Sequence, residues 1–280
     1  MDSALERKYF RLREILRGLG SVVVGYSGGV DSTLLLKVAS DELGNNALAV
    51  IGRSETLPGR EYDDAVSTAG MIGARFEVIR TEETDNLKFA ENPPDRCYFC
   101  KTELFSKLNA VAERQGISWI ADGTITDDSA DFRPGRKALR EQKVRSPLFE
   151  ADLNKREVRE LSRHLGLPTW DKGSFACLSS RFPYGFGITK EALMKIDSAE
   201  TLLRDRGFKH FRVRHHDDRT ARIELGPEEI PRLLDERLRK EIVAELRSLG
   251  FTYITLDLQG YWTGSMNEVL PGATKESFKE

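Results

Sequence analysis

The sequence predicts a doubly wound α/β domain on a parallel sheet, followed by a smaller α+β domain. Three observations predict it. The first part of the chain carries continuous rather than alternating apolar runs, helical segments separate those runs, and the pattern becomes mixed after about residue 185. Continuous runs between amphipathic helices mark strands covered on both faces. Residues 5–18 place Leu5, Tyr9, Leu12, Ile15 and Leu16 at helical spacing before Gly18-Leu19-Gly20, so a helix stops there. Ser21-Val22-Val23-Val24-Gly25-Tyr26 is the first buried strand. A helix is expected from about Thr33, and Ala47-Leu48-Ala49-Val50-Ile51 is the second strand. Residues 61–72 read as helix, 75–79 as strand, 101–114 as helix and 118–121 as strand. In such a sheet, ligands sit at the carboxyl ends of the strands. The second domain reads as helix 190–206, strands 211–214 and 220–225, helix 236–249 ended by Gly250, and strand 253–258. The boundary falls in Phe182-Pro183-Tyr184-Gly185-Phe186-Gly187, giving domains 1–185 and 186–280.

Composition excludes several classes. With 39% apolar residues and 14 Phe, 7 Tyr and 3 Trp, the chain has the means to build a core and is not disordered. The 43 basic and 45 acidic side chains leave a net charge of −2, so no global field draws nucleic acid or an anionic membrane. No apolar run approaches the ~20 residues that span a bilayer, and Met1-Asp2-Ser3-Ala4-Leu5-Glu6 lacks the pattern of a secretory signal, so a cytoplasmic protein is expected. Three cysteines are odd in number for a disulfide framework, which makes each a candidate thiolate or metal ligand.

The first strand runs into Ser27-Gly28-Gly29-Val30-Asp31-Ser32 and then a helix. Two glycines allow close backbone approach, while hydroxyls and free N–H groups at a helix start bind an oxyanion. The loop lacks both the Gly-Lys-Ser/Thr ending of the nucleotide loop and the Gly-x-Gly-x-x-Gly of dinucleotide folds. It resembles the pyrophosphate loop of the N-type ATP pyrophosphatases, which have an adenine nucleotide alpha-hydrolase-like fold and cleave ATP to AMP and pyrophosphate while adenylating an acceptor. That resemblance implies that Ser27, Gly28, Gly29, Asp31 and Ser32 hold pyrophosphate and that Asp31 helps hold Mg²⁺. Arg53 leaves the second strand where an adenine would lie. Asp122-Gly123 leaves the fourth, with Asp127, Asp128, Asp131, Arg133 and Arg136 close behind, a mixture suited to Mg²⁺ and phosphate oxygens.

A second motif, Cys177-Leu178-Ser179-Ser180-Arg181-Phe182-Pro183-Tyr184-Gly185, sets a thiol among hydroxyls and an arginine. Together with the loop, Asp131-Phe132-Arg133-Pro134-Gly135 and Phe211-Arg212-Val213-Arg214, it resembles the LarE sulfur transferases along nearly the whole chain. Those enzymes convert the carboxylates of pyridinium-3,5-biscarboxylic acid mononucleotide into thiocarboxylates, on the way to the nickel-pincer nucleotide. The resemblance implies that Cys177 marks the sulfur-transfer centre and that Arg212 and Arg214, with Ser180 and Arg181, bind the substrate. Two arginines two apart on one strand share a face, which suits one phosphate. The family uses either a single sacrificial cysteine or a cluster on three. Here Cys97-Tyr98-Phe99-Cys100 supplies two more thiols, so Cys97, Cys100 and Cys177 are expected to hold a [4Fe–4S] cluster with one open iron. A dithiol redox pair and a zinc site completed by a histidine or aspartate remain alternatives for Cys97 and Cys100. His164, His210, His215 and His216 show no ligand spacing to the cysteines. Rival functions are a tRNA thiolase or other adenylating synthetase, and a non-catalytic nucleotide-binding iron–sulfur sensor. The expected partners are ATP, Mg²⁺, the small mononucleotide, a sulfide source and further copies of the chain in a homo-oligomer, with no membrane and no nucleic acid.

Overall fold

The three valines at 22–24 have no polar neighbour to turn outward, and all three are fully buried in a strand that needs cover on both faces. The computed structural model, which describes residues 2–129, 134–173, 176–262 and 265–270, supplies that cover. Helix α1 (Ser3–Leu19) starts on Asp2, whose carboxylate accepts the Ala4 and Leu5 N–H groups, and it leads into β1 (Val22–Gly25). There follow α2 (Val30–Leu43), β2 (Ala47–Arg53), α3 (Gly59–Ile72), β3 (Phe76–Arg80) and the short α4 (Leu87–Ala90). Next come α5 (Arg96–Gln115), β4 (Trp119–Ala121), α6 (Gly135–Glu141), α7 (Pro147–Glu150) and α8 (Lys155–His164).

The four strands are parallel, in the order β3-β2-β1-β4. The alternation of each strand divides its buried residues between two cores. Val22, Val24, Ala49 and Ile51 pack with Leu12, Leu16, Leu34 and Leu161 on one face, and Val23, Leu48 and Val50 pack with Phe105, Leu108 and Val111 on the other. The chain steps from β1 outward to β3 and then returns to the opposite side of β1 with β4. The carboxyl ends of β1 and β4 therefore form the switch point of a doubly wound sheet, where such folds open a crevice.

The described residues divide into two compact units, one from 2–83 and 95–173, the other from 84–94 and 176–270. The second contains α4, α9 (Lys190–Asp205), β5 (Phe211–His215), β6 (Thr220–Leu225), α10 (Glu236–Ser248) and β7 (Tyr253–Leu256). Its sheet is mixed, with β5 antiparallel and β7 parallel to the central β6. Among the described residues no helix is long and apolar enough to cross a membrane.

Two boundaries differ from expectation in ways that matter. Helix α2 begins at Val30 rather than Thr33, because Gly29 is extended (φ −78°, ψ 166°) and serves as its cap, which puts Asp31 and Ser32 in the first helical turn. Helix α5 begins at Arg96 rather than residue 101, so the Cys97–Cys100 motif is itself helical.

Candidate functional site

At the switch point, the β1–α2 loop is shaped by what glycine alone permits. Gly28 has φ +71°, and a Cβ there would lie 2.7 Å from Ala65 Cβ and 2.9 Å from Ala65 Cα of α3. Gly29 caps α2 without a side-chain hydrogen bond, so the helix presents its first N–H groups and the positive end of its dipole. The Ser27 and Ser32 hydroxyls stand 3.1 Å apart, and Ser32 Oγ also donates to the Gly29 carbonyl at 3.2 Å. From β4, Gly123 passes so close that a Cβ would sit 2.9 Å from Ser32 N. Hydroxyls, backbone donors and a nearby strand end without side-chain bulk make an anion cradle.

The carboxylate of Asp31 accepts two contacts from Lys155 Nζ, at 2.7 and 2.5 Å. Lys155 is the first residue of α8, behind the capping box of Asn154 and Glu157, and its own N–H donates to Asp127 Oδ2 at 2.8 Å. Asp122, for which a Mg²⁺ or phosphate contact is expected, is buried. It accepts the Ser146 hydroxyl at 2.7 Å and the Thr124 hydroxyl at 2.6 Å, so it shapes the turn after β4. Arg53 ends β2 in an exposed position, its guanidinium 4.5 Å from the Tyr62 ring centre. The turn beyond it is clamped by buried Glu83, which accepts the Ser54 and Thr56 hydroxyls, both at 2.6 Å.

Cys97 and Cys100 lie three apart, across the first and second turns of α5, and so share a face, Cys97 exposed and Cys100 half-buried. A helix start favours the thiolate. Two such thiols suit two ligands of an iron–sulfur cluster, and Cys177, which belongs to the other unit, is half-buried. Among the described residues no three His, Cys, Asp or Glu side chains are gathered as for a metal ion. Arg133 lies outside the described residues, with Asp131 and Phe132 beside it.

In the second unit, Cys177 stands just ahead of a tight turn, Leu178–Arg181. Arg181, expected to contact a ligand, is 1% exposed, and its fork is spent on Glu200 at 2.9 Å for each contact. Its remaining nitrogen donates to the Ala176 and Cys177 carbonyls and to Ser180 Oγ, so this side chain braces the cysteine turn from inside. Ser180 Oγ donates to the Cys177 carbonyl at 2.8 Å. Burial alone would raise the Glu200 carboxyl. Arg181 and Arg212 beside it, with the Val213 N–H, hold it below the usual carboxylate range.

The paired arginines of β5 differ. Arg214 is buried, forked onto Glu224 at 2.9 and 2.7 Å and bonded to the Ser180 carbonyl and the Ser265 hydroxyl. Arg212 makes no ion pair with a carboxylate among the described residues. It stacks 4.7 Å from the Tyr261 ring centre and donates to that residue's hydroxyl at 3.2 Å. Desolvation, with Arg181 close by, lowers its pKa. A half-buried guanidinium that makes no carboxylate hydrogen bond among the described residues is the stronger anion receptor of the two. Both side chains leave the same face of β5, as the spacing requires, but among the described residues Arg214 is forked onto a carboxylate and Arg212 is not.

Sequence reasoning missed Lys155, Lys172, Glu83, Glu200 and Glu224. Only Lys155 carried a readable signal, since Asn154 and Glu157 spell a helix start that fixes it at the first helical position. The others act through contacts distant in the chain.

Among known proteins, the NAD synthase family description matches residues 9–112. The pyridinium-3,5-bisthiocarboxylic acid mononucleotide synthase of Lactiplantibacillus plantarum is 40% identical over 279 residues, covering 99% of both chains. An uncharacterised protein of Synechocystis sp. is 45% identical over 95% of this chain and 99% of its own. The NH(3)-dependent NAD(+) synthetase of Chlorobaculum tepidum is 27% identical over 54% of this chain and 55% of its own.

Proposed function

Because the chain belongs to the LarE family, that of the L. plantarum synthase, we propose that it is an ATP-dependent sulfur transferase. Its substrate is pyridinium-3,5-biscarboxylic acid mononucleotide, whose carboxylates it adenylates and converts to thiocarboxylates. The observation that carries this reading is the cradle of Ser27, Gly28, Gly29, Asp31 and Ser32 at the start of α2. In the first step a substrate carboxylate oxygen attacks the α-phosphorus of ATP and pyrophosphate leaves. The hydroxyls and N–H groups of the loop receive the departing charge where it develops. Asp31 is the ligand that would hold Mg²⁺, an electrophile for the phosphate oxygens, and Lys155 is the ammonium that would then release Asp31 and be free for the pyrophosphate. Arg53 and the clamped turn after β2 would lie along the nucleoside. Gly123 keeps the β4 end narrow enough for the nucleotide to approach the loop.

In the second step hydrosulfide attacks the acyl carbon, the C–O bond to the adenylate breaks and AMP leaves. A [4Fe–4S] cluster on Cys97, Cys100 and Cys177 would supply an open iron for that hydrosulfide. Arg212, with Ser180 and Arg214, would hold the phosphate of the mononucleotide, and Arg181 with Glu200 would fix the cysteine turn. The test is pyrophosphate release from ATP in the presence of the dicarboxylate mononucleotide. Wild type should release it and Asp31→Ala should not, with an unchanged circular dichroism spectrum. Wild-type turnover by the variant, or release that ignores the mononucleotide, would refute the reading.

A further inference from the structure

We propose that Lys172 is a positioning residue for the glycine loop, holding the Gly28 carbonyl so that the N–H at the other end of the same peptide group faces the anion. The inference rests on the reading of the loop given above and adds a residue to it. Lys172 Nζ lies 3.4 Å from Gly28 O. The peptide is trans, so the carbonyl and the Gly29 N–H point in opposite directions. That N–H donates to Ser27 Oγ at 3.4 Å in an exposed position, a long bond that an anionic oxygen would better. An ammonium on the carbonyl end polarises the same group and strengthens its donor end.

Lys172 is itself held in place. Its ammonium pairs with Glu61 at 2.8 Å and with Asp64 at 3.5 Å, both on α3. Its backbone carbonyl accepts Arg159 Nη2 at 2.8 Å, while Arg159 Nη1 binds the Trp170 carbonyl at 2.8 Å. Helix α3 thus grips the loop twice, through Ala65 against Gly28 and through Glu61 and Asp64 by way of the lysine. The lysine has a second effect. Without it, two carboxylates of α3 would stand beside a loop built to take an anion, and like charges would oppose binding.

The experiment titrates inorganic pyrophosphate with Mg²⁺, and separately AMP, into the full chain by calorimetry. In Lys172→Gln, pyrophosphate affinity should fall about tenfold, the size of one charge-assisted hydrogen bond, while AMP binding stays within about twofold. Lys172→Arg should recover most of the loss. Glu61→Gln, which keeps an amide oxygen to hold the lysine and removes a negative charge beside the anion loop, should raise pyrophosphate affinity by about twofold. An equal loss for both ligands, no loss at all, or a fall in Glu61→Gln would overturn the role of Lys172 while leaving the loop assignment standing. A wild-type chain that binds AMP but no pyrophosphate would remove the loop assignment, and this inference with it.

Discussion

Gly28 offers the sharpest test of how the loop is built. Alanine there must take φ +71°, which costs about 1–2 kcal/mol for an L-residue. Its Cβ would also sit 2.7 Å from Ala65 Cβ and 2.9 Å from Ala65 Cα, and because the second atom is helix backbone it cannot swing aside. Overpacking of that kind costs about 1–3 kcal/mol, for a total of about 2–5 kcal/mol. In a chain of this size the midpoint of thermal unfolding should drop by on the order of 10 °C. If the loop shifts to escape the clash, pyrophosphate release is lost instead, so both are measured. Gly29→Ala is the control, since Gly29 has ordinary φ and its nearest neighbour is Ser27 Oγ at 3.4 Å. It should cost about 1 kcal/mol or less. Ala65→Gly, destabilising by about 1 kcal/mol alone, should cost less than that in the Gly28→Ala background, because it removes the closer contact. A Gly28→Ala protein as stable as Gly29→Ala, releasing pyrophosphate at the wild-type rate, would refute the reasoning.

Three further outcomes are expected. Arg212→Ala should weaken mononucleotide binding in a titration with little change in stability, whereas Arg214→Ala should also cost about 1–3 kcal/mol in chemical unfolding, because it leaves buried Glu224 with only the Arg222 contact at 3.1 Å. Equal stability of the two variants would show that the arginines are interchangeable. After anaerobic reconstitution, alanine at Cys97, Cys100 or Cys177 should each lower iron and labile sulfide and stop sulfur transfer, with adenylation retained. A wild type that holds no iron and loses about 34 Da at residue 177 after turnover would instead show that Cys177 gives up its own sulfur. His215 is buried against Phe182, Phe186 and Phe251, and desolvation, helped by Lys195 and opposed by Asp218 and Asp217, holds its pKa below the ordinary 6.5. The unfolded chain therefore binds the extra proton first. Stability from this residue is complete above about pH 6.5 and declines as pH falls below it, so His215→Phe should flatten the dependence of unfolding free energy between about pH 5 and 7. An unchanged slope would exclude it.

The parallel sheet is legible because β1 and β2 announce themselves as unbroken apolar runs, unlike the alternating edge strand β3, and the loop because its glycines and serines fall at a strand–helix junction. For α2 the pattern points to Thr33, because Gly29 reads as part of the glycine turn and caps the helix without a side-chain bond. For α5 the pattern points to residue 101, because Cys97-Tyr98-Phe99-Cys100 reads as a motif rather than a helical turn and Asp95, at the N-cap, makes no side-chain capping bond. Spacing on β5 correctly put Arg212 and Arg214 on one face. It could not tell that Glu224, across the strand pair, claims one of them. Lys172 was invisible for a similar reason, since its partners Glu61, Asp64 and Gly28 lie far back in the chain.

The second unit borrows residues 84–94 from the middle of the first, and this has consequences for synthesis and for dissection. Asn92 lends its amide to the Phe182 and Pro183 carbonyls, its own carbonyl receives Gly185, Ala90 receives Ile188, and Asp85 pairs with Lys190. On a ribosome that strip emerges long before the residues it serves, so the chain must fold the sheet around an excursion whose partners do not yet exist. A fragment cut at Ala176 would arrive without it, its cysteine turn and the start of α9 missing their lining. The two units are therefore separable as regions of contact but not as pieces of polypeptide, and an exchange of the C-terminal half between relatives should succeed only when residues 84–94 travel with it.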